Sequence, residues 1–230
     1  MTIFKYALLR NLRSPISYFS GLLAPVLLIL ASTNIWTNAP TAGLETLVML
    51  MLLSSVLLVG LILEDRVDGS IMKILVSPVS MASYIFQNLL AAIIPFLIQI
   101  LLLGILGLVR YNWTAQFATG AIIALFICAV ATTAFAFCWN MLFRSKSGSR
   151  YSFMFVMAVI ILLSGLFIPI EALPGFMRNV GAILHPYWFV RAITSLSRYG
   201  MNLHFWLYNS ISLLYAIGFI LLGGKGRRMQ

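Results

Sequence analysis

Long apolar runs separated by short polar breaks dominate the chain. Six of them, about Ile16 to Asn34, Leu44 to Leu63, Ile85 to Val109, Phe117 to Phe143, Tyr151 to Ile168 and Phe205 to Leu222, are long enough to cross a hydrocarbon layer as helices. Before the first, Met1 to Arg13 sets Lys5, Arg10 and Arg13 on one helical arc against Phe4, Leu8 and Leu12, with only Leu9 and Asn11 out of place. That pattern predicts a helix lying in the membrane interface. Pro25 predicts a kink in the first span that neighbouring helices support. In the third span Gln87, Asn88, Pro95, Gln99, Gly104 and Gly107 are polar or small residues expected to face other helices.

The breaks carry their own expectations. Ile35 to Gly43 reads as a short uncharged loop with Trp36 at the membrane boundary, and Arg144 to Arg150 as a compact basic loop. Between Pro169 and His204 the segments are too short to cross. Phe176 to Leu184 and Trp188 to Leu196 are predicted as short helices that re-enter or lie on the surface, with His185 and His204 interfacial. The expected fold is an all-α integral membrane protein forming one transmembrane domain over 1–230. It has six spans, an interfacial helix over 1–14, a connector over 64–83 and an external re-entrant segment over 169–204.

Composition agrees. Hydrophobic residues make up 62% and charged residues 9% of the chain, far from the balance of a water-soluble domain. The net charge of +10 could suggest nucleic acid, but the basic residues gather at span ends, as membrane topology requires. With the N-terminus inside, the inner side holds Lys5, Arg10, Arg13, Arg66, Lys73, Arg144, Lys146, Arg150, Lys225, Arg227 and Arg228. The outer side holds Arg110, Arg178, Arg191 and Arg198. The expectation is a multi-pass protein of the cell membrane, both termini and the connector cytoplasmic, its surroundings membrane lipids and no nucleic acid. Cys128 and Cys138, ten residues apart in one apolar run, are too far apart along a helix to bond.

The connector from Glu64 to Tyr84 concentrates the chemistry. Glu64, Asp65, Arg66 and Asp68 fall within five positions between two apolar runs, and burying them in hydrocarbon would cost several kcal/mol per charge. Gly69 permits a tight turn and Ser70 can cap a helix beginning after it. Ile71, Ile74 and Leu75 then fall at helical spacing around Lys73, before Ser77-Pro78 ends the segment. The pattern predicts a short amphipathic helix on the membrane surface.

No catalytic or metal-ligating pattern accompanies it. There is no phosphate-binding loop, since Gly223-Gly-Lys-Gly lacks the spacing, and no His-Glu-x-x-His, cysteine pair at ligand spacing or Gly-x-Ser-x-Gly. The chain is not expected to be an enzyme. Every Asp and Glu lies at a span end or in a connector, which disfavours a secondary transporter with a mid-membrane coupling carboxylate.

The run Asp65-Arg66-Val67-Asp68-Gly69-Ser70-Ile71-Met72-Lys73-Ile74-Leu75-Val76-Ser77-Pro78 closely resembles the cytoplasmic motif of ABC-2 type permeases. Val67 stands where the family often has a second acid, and Ser70 where it has Thr. Phe167-Ile-Pro169-Ile-Glu171-Ala-Leu-Pro174-Gly-Phe, with His185-Pro186-Tyr187-Trp188, is similar to the family's segment after the fifth span. The resemblance implies the membrane subunit of an ATP-driven exporter. A second permease, identical or homologous, pairs with it, and a separate ABC ATPase subunit holds ATP and Mg²⁺. Glu64, Asp65, Arg66, Asp68, Gly69, Ser70, Ile71, Ile74, Leu75 and Pro78 are the expected ATPase-coupling residues, the charges giving register and the apolar side chains filling a cleft. Pro169, Glu171 and Pro174 are expected at an external gate. Spans without charge suit an amphipathic or lipid-like cargo such as a drug, peptide or glycan. The alternative is a membrane-embedded immunity or scaffold protein that binds a partner without transport.

Overall fold

The computed structural model describes residues 2–70 and 80–226. Helix α1 (Thr2–Arg13) meets α2 (Pro15–Ala31) at 87°. A short α3 (Thr33–Asn38) leads into α4 (Pro40–Val67), followed by α5 (Met81–Val109), α6 (Ala115–Leu142) and α7 (Lys146–Leu163). A 3₁₀ turn (Ile170–Ala172), α8 (Gly175–Gly181) and α9 (His185–Tyr199) precede α10 (Leu203–Gly226). Among the described residues there is no strand. Five helices, α4 to α7 and α10, are long and apolar enough to cross a membrane, and α2 with α1 makes a bent sixth. The chain is an all-α membrane protein.

Helix α4 lies at the centre. The most apolar stretch of α4 is 78% buried inside the protein, against 22% for α7 and for α10, so α4 is sheathed by other helices while α7 and α10 keep most of their surface outward. It packs against α2, α5, α6, α7 and α9. Alanines 118, 121, 124, 129, 131, 134 and 136 of α6 are buried, and such small side chains let helices approach closely where apolar burial gives little drive. Ala131 and Ala134 meet Ala216 of α10 in this way.

Pro25 shapes α2 through the donor it lacks. Residues Phe19–Leu23 form a π-turn, and the Gly21 carbonyl, which a donor at residue 25 would ordinarily take, receives Gln99 Nε2 of α5 instead. The expected inward-facing set in the third span is thereby accounted for. Gln87 accepts from Phe4 N at 3.1 Å, Asn88 donates to Tyr84 O at 2.9 Å, and Gly104 and Gly107 lie against Ile122 and Trp113. Asn11, out of place on the α1 wheel, is buried and donates to Leu58 O of α4 at 3.2 Å.

Several boundaries differ from the sequence reading. Glu64 to Val67 is the last turn of α4 rather than loop, because each charge there finds a partner. Lys146 to Arg150 opens α7 rather than closing a loop, with Ser145 Oγ accepting from Gly148 N at 3.1 Å as its cap. The stretch Ile35 to Gly43 is mostly helical. Trp36 is fully buried rather than at a boundary, grouped with Tyr111 and Trp113 at centroid distances of 6.2 and 6.3 Å. Its indole donates to Leu28 O, Trp113 Nε1 donates to Trp36 O, and the Tyr111 hydroxyl donates to Ile29 O. Asn112, at φ 55, makes the tight α5–α6 turn that brings these rings together. His185 is buried rather than interfacial, 3.3 Å from Thr132 Oγ1 and enclosed by Phe135 and Phe219.

The Pro25 and Gln99 pair gives a direct test. Gln99→Leu is expected to cost about 1 kcal/mol by leaving the Gly21 carbonyl without its donor. In a Pro25→Ala background, where residue 25 regains its N–H, that cost should shrink toward zero. Unfolding of the four proteins of this cycle in detergent checks it, and an equal cost in both backgrounds rules the coupling out.

Candidate functional site

Successive helical residues point about 100° apart, so three consecutive charges cannot share one face. At the end of α4 they fan out to different neighbours. Glu64 reaches Arg150 of α7, 3.0 Å from Oε1 to Nη2. Asp65 receives Arg10 of α1 in a forked pair, 2.7 Å to Oδ1 and 3.1 Å to Oδ2, and also accepts from the Tyr84 hydroxyl of α5. Arg66 donates to Met141 O at 3.3 Å and Phe143 O at 3.0 Å, where the C-terminal carbonyls of α6 lack helical partners. Asp68 takes Lys146 Nζ at 3.1 Å.

These four residues therefore tie α4 to α1, α5, α6 and α7 at one face of the bundle. Their environments rank them. The Asp65 side chain is 12% exposed against 56% for Asp68, so Asp65 is the most desolvated of the three carboxylates, although its partner Arg10 is 44% exposed. Arg10 also donates to Leu61 O at 3.2 Å. Burial works against the Arg10 charge, but the hydrogen bond and charge of Asp65 outweigh it and hold the guanidinium above its ordinary value.

Past this clamp the helix ends at Val67, four residues later than expected, and the chain makes the tight turn expected at Gly69. Asp68 N donates to Glu64 O at 2.9 Å, Gly69 N donates to Arg66 O at 3.3 Å, and Gly69 takes φ 72, the left-handed conformation glycine adopts most readily. Among the described residues other than its chain neighbours, no atom lies within 4 Å of where a Gly69 side chain would start. Ser70 comes next, partly exposed. Ile71, Ile74, Leu75 and Pro78 lie outside the described residues.

The expected gate residues are at the opposite face. Pro169 and Pro174 precede the 3₁₀ turn and α8, where a missing N–H costs nothing. Gly165, at φ 86, turns the chain after α7, with Ile170 against it. Pro169 and Glu171 line a cavity of about 780 Å³ between the N-terminal end of α4, the 3₁₀ turn, α9 and the start of α10, while Pro174 is not among its lining residues. Glu45, Arg191, Arg198, His204 and Tyr208 share that lining.

Sequence reasoning found the connector charges but none of their partners. Arg10, Arg150 and Lys146 entered only as topology signals and Tyr84 only as a segment end. Arg10 lies 55 residues before Asp65, and Arg150 lies 86 after Glu64, separations no local pattern bridges. Asn11, displaced on the wheel next to Arg10, was the one sign that α1 turns a polar side toward protein.

No curated protein matches the sequence closely enough to be reported as a relative. The profile of the ABC-2 type transporter family matches residues 1–197, most of the chain, including the clamp and the connector, while Arg198, Tyr199, His204 and Tyr208 of the cavity lining lie beyond the match. The chain therefore belongs to the ABC-2 type transporter family, and it is the membrane-spanning permease component of an ABC transporter rather than the ATPase.

Proposed function

We propose that this permease drives export of an amphipathic or lipid-like cargo across the cell membrane. It does so as a pair of permeases, each engaged through its connector by a separate ABC ATPase that holds ATP and Mg²⁺. The observation that carries the reading is the clamp. A push on residues 69–78 enters a helix end that is bonded to α1, α5, α6 and α7 together, so it moves the connector face as a body.

The clamp also divides the labour among the expected coupling residues. Glu64, Asp65 and Arg66 are engaged within the permease, and Asp68 is the most exposed of the charges paired there. Asp68 and the segment from Gly69 to Pro78 then present the ATPase-facing surface, with Ile71, Ile74 and Leu75 as its apolar contacts. Pairing is supported by the packed interior. Side chains of α4, α5, α6 and α9 fill the space between those helices, so a pathway is better formed between two subunits than through one. The basic residues at the connector face, Lys5, Arg10, Arg13, Arg66, Arg144, Lys146 and Arg150, support a cytoplasmic position for it. The gate role falls to Pro169, Glu171 and Pro174 at the other end, with the cavity beside them.

Pull-down of the tagged chain from its native membrane tests the docking. The parent should bring down an ABC ATPase, and Ile74→Asp should reduce the recovered ATPase at least about tenfold by placing a charge in an apolar cleft. An unchanged yield would put the docking surface elsewhere, and no ATPase with the parent would remove the exporter reading.

The clamp makes a separate prediction. Arg10→Ala and Asp65→Asn should each leave the ATPase bound but lower cargo transport per ATP hydrolysed. Each should also destabilise the permease by about 1 to 2 kcal/mol, because each breaks a pair whose carboxylate is buried while its arginine stays half-exposed to solvent screening. The double variant should lose little more than either single one, and additive losses would show that the two residues act independently.

A further inference from the structure

The cavity beside the gate is lined by charges of both signs. Glu45, half-buried in the second turn of α4, and Glu171, in the 3₁₀ turn, both line it. Arg191 and Arg198 line the same space from α9, yet among the described residues no ion pair joins either arginine to either glutamate. Arg191 instead stands over the Tyr208 ring, 5.6 Å from its centroid. Carboxylates and guanidinium groups thus line one opening, Glu45 half-buried and Glu171, Arg191 and Arg198 exposed at it.

A site of one sign selects an ion of the other. This lining suits a ligand carrying both charges, because either charge alone would leave the lining groups of its own sign unmatched. The volume, about 780 Å³, is larger than a small head group needs, and Met49, Leu166 and Phe167 extend the lining with apolar surface. Glu45 lies 20 residues before Asp65 on one helix, which places the cavity about 30 Å from the clamp, near the far membrane boundary.

We propose that this cavity binds an amphipath whose head group is dipolar. A primary ammonium faces Glu45 and Glu171, a phosphate or carboxylate faces Arg191 and Arg198, and an apolar tail lies along Met49, Leu166 and Phe167. The proposal rests on the exporter reading for its place on the outer side, and it narrows the cargo of that reading to dipolar amphipaths. The same chemistry is offered by an ethanolamine phospholipid and by a free dipolar head group.

Native mass spectrometry of the full chain in detergent tests it with four probes. These are a lysophosphatidylethanolamine, a lysophosphatidylglycerol of the same chain length, an alkyltrimethylammonium of that length, and phosphoethanolamine without a chain. The dipolar lysolipid should bind at least about tenfold more tightly than either single-charge amphipath. Weak binding of phosphoethanolamine identifies a lipid-like occupant, and binding as tight as the lysolipid's would overturn the role of the tail. Glu45→Gln with Glu171→Gln should abolish the preference over the glycerol lipid, and Arg191→Gln with Arg198→Gln the preference over the ammonium. No preference in the parent, or a preference unchanged in both variants, overturns the site. The parent's selectivity decides even if a variant does not fold. Because the ATPase is absent, failure here leaves the docking result standing, and failure of docking leaves this binding intact.

Discussion

One carboxylate holds three helices of this protein together. Asp65 accepts from Arg10, 55 residues earlier, and from Tyr84, 19 residues later, at the point where α1, α4 and α5 converge. A carboxylate so little exposed at the edge of a hydrocarbon layer is tolerable only if both oxygens are satisfied, and the fork of one arginine plus a phenol does that. The consequence is geometric. With Asp65 fixed, Glu64 and Arg66 are turned by the helical repeat toward α7 and α6, so one satisfied charge sets the direction of the next two.

The same drive to give buried polar groups a partner explains features beyond the clamp's own charges. Pro25 leaves a carbonyl open in α2, and Gln99 fills it from α5. Asn11 and Asn88 spend their amides on the carbonyls of Leu58 and Tyr84. Buried indoles and a phenol at the opposite face do the equivalent for Leu28, Ile29 and Trp36. Apolar surface sets where the helices lie; these bonds set how they are turned about their axes.

That distinction also marks how far the sequence could be read. The long apolar helices, the inward direction of Gln87, Asn88 and Gln99, and the short helices before the last span all follow from local residue chemistry, because membrane helices are defined by composition over about 20 residues. The family motif was legible for the same reason, being contiguous. What failed was whatever depended on pairing. Glu64 to Val67 reads as loop when its charges are taken as solvated, and as helix once Arg150, Arg10, Tyr84 and the α6 carbonyls are known. Trp36 and His185 look interfacial by residue type, and are buried because partners from other segments take up their polar atoms.

Helices α2 and α4 therefore have opposite mechanical characters. The 28 residues of α4 are sheathed on all sides, carry proline only at the first position, and are pinned at one end by four charges. Any shift of that end must carry the far end, with Glu45 in the cavity, as a rigid displacement, since sliding would break pairs to three or more helices at once. Helix α2 is interrupted instead by a π-turn, a proline and a single side-chain bond from α5, and it meets α1 at a sharp angle. Bending is cheapest where backbone bonds are already missing. The backbone therefore offers least resistance to bending at Phe19–Leu23 and most along α4, although the helices of the bundle otherwise differ little in composition.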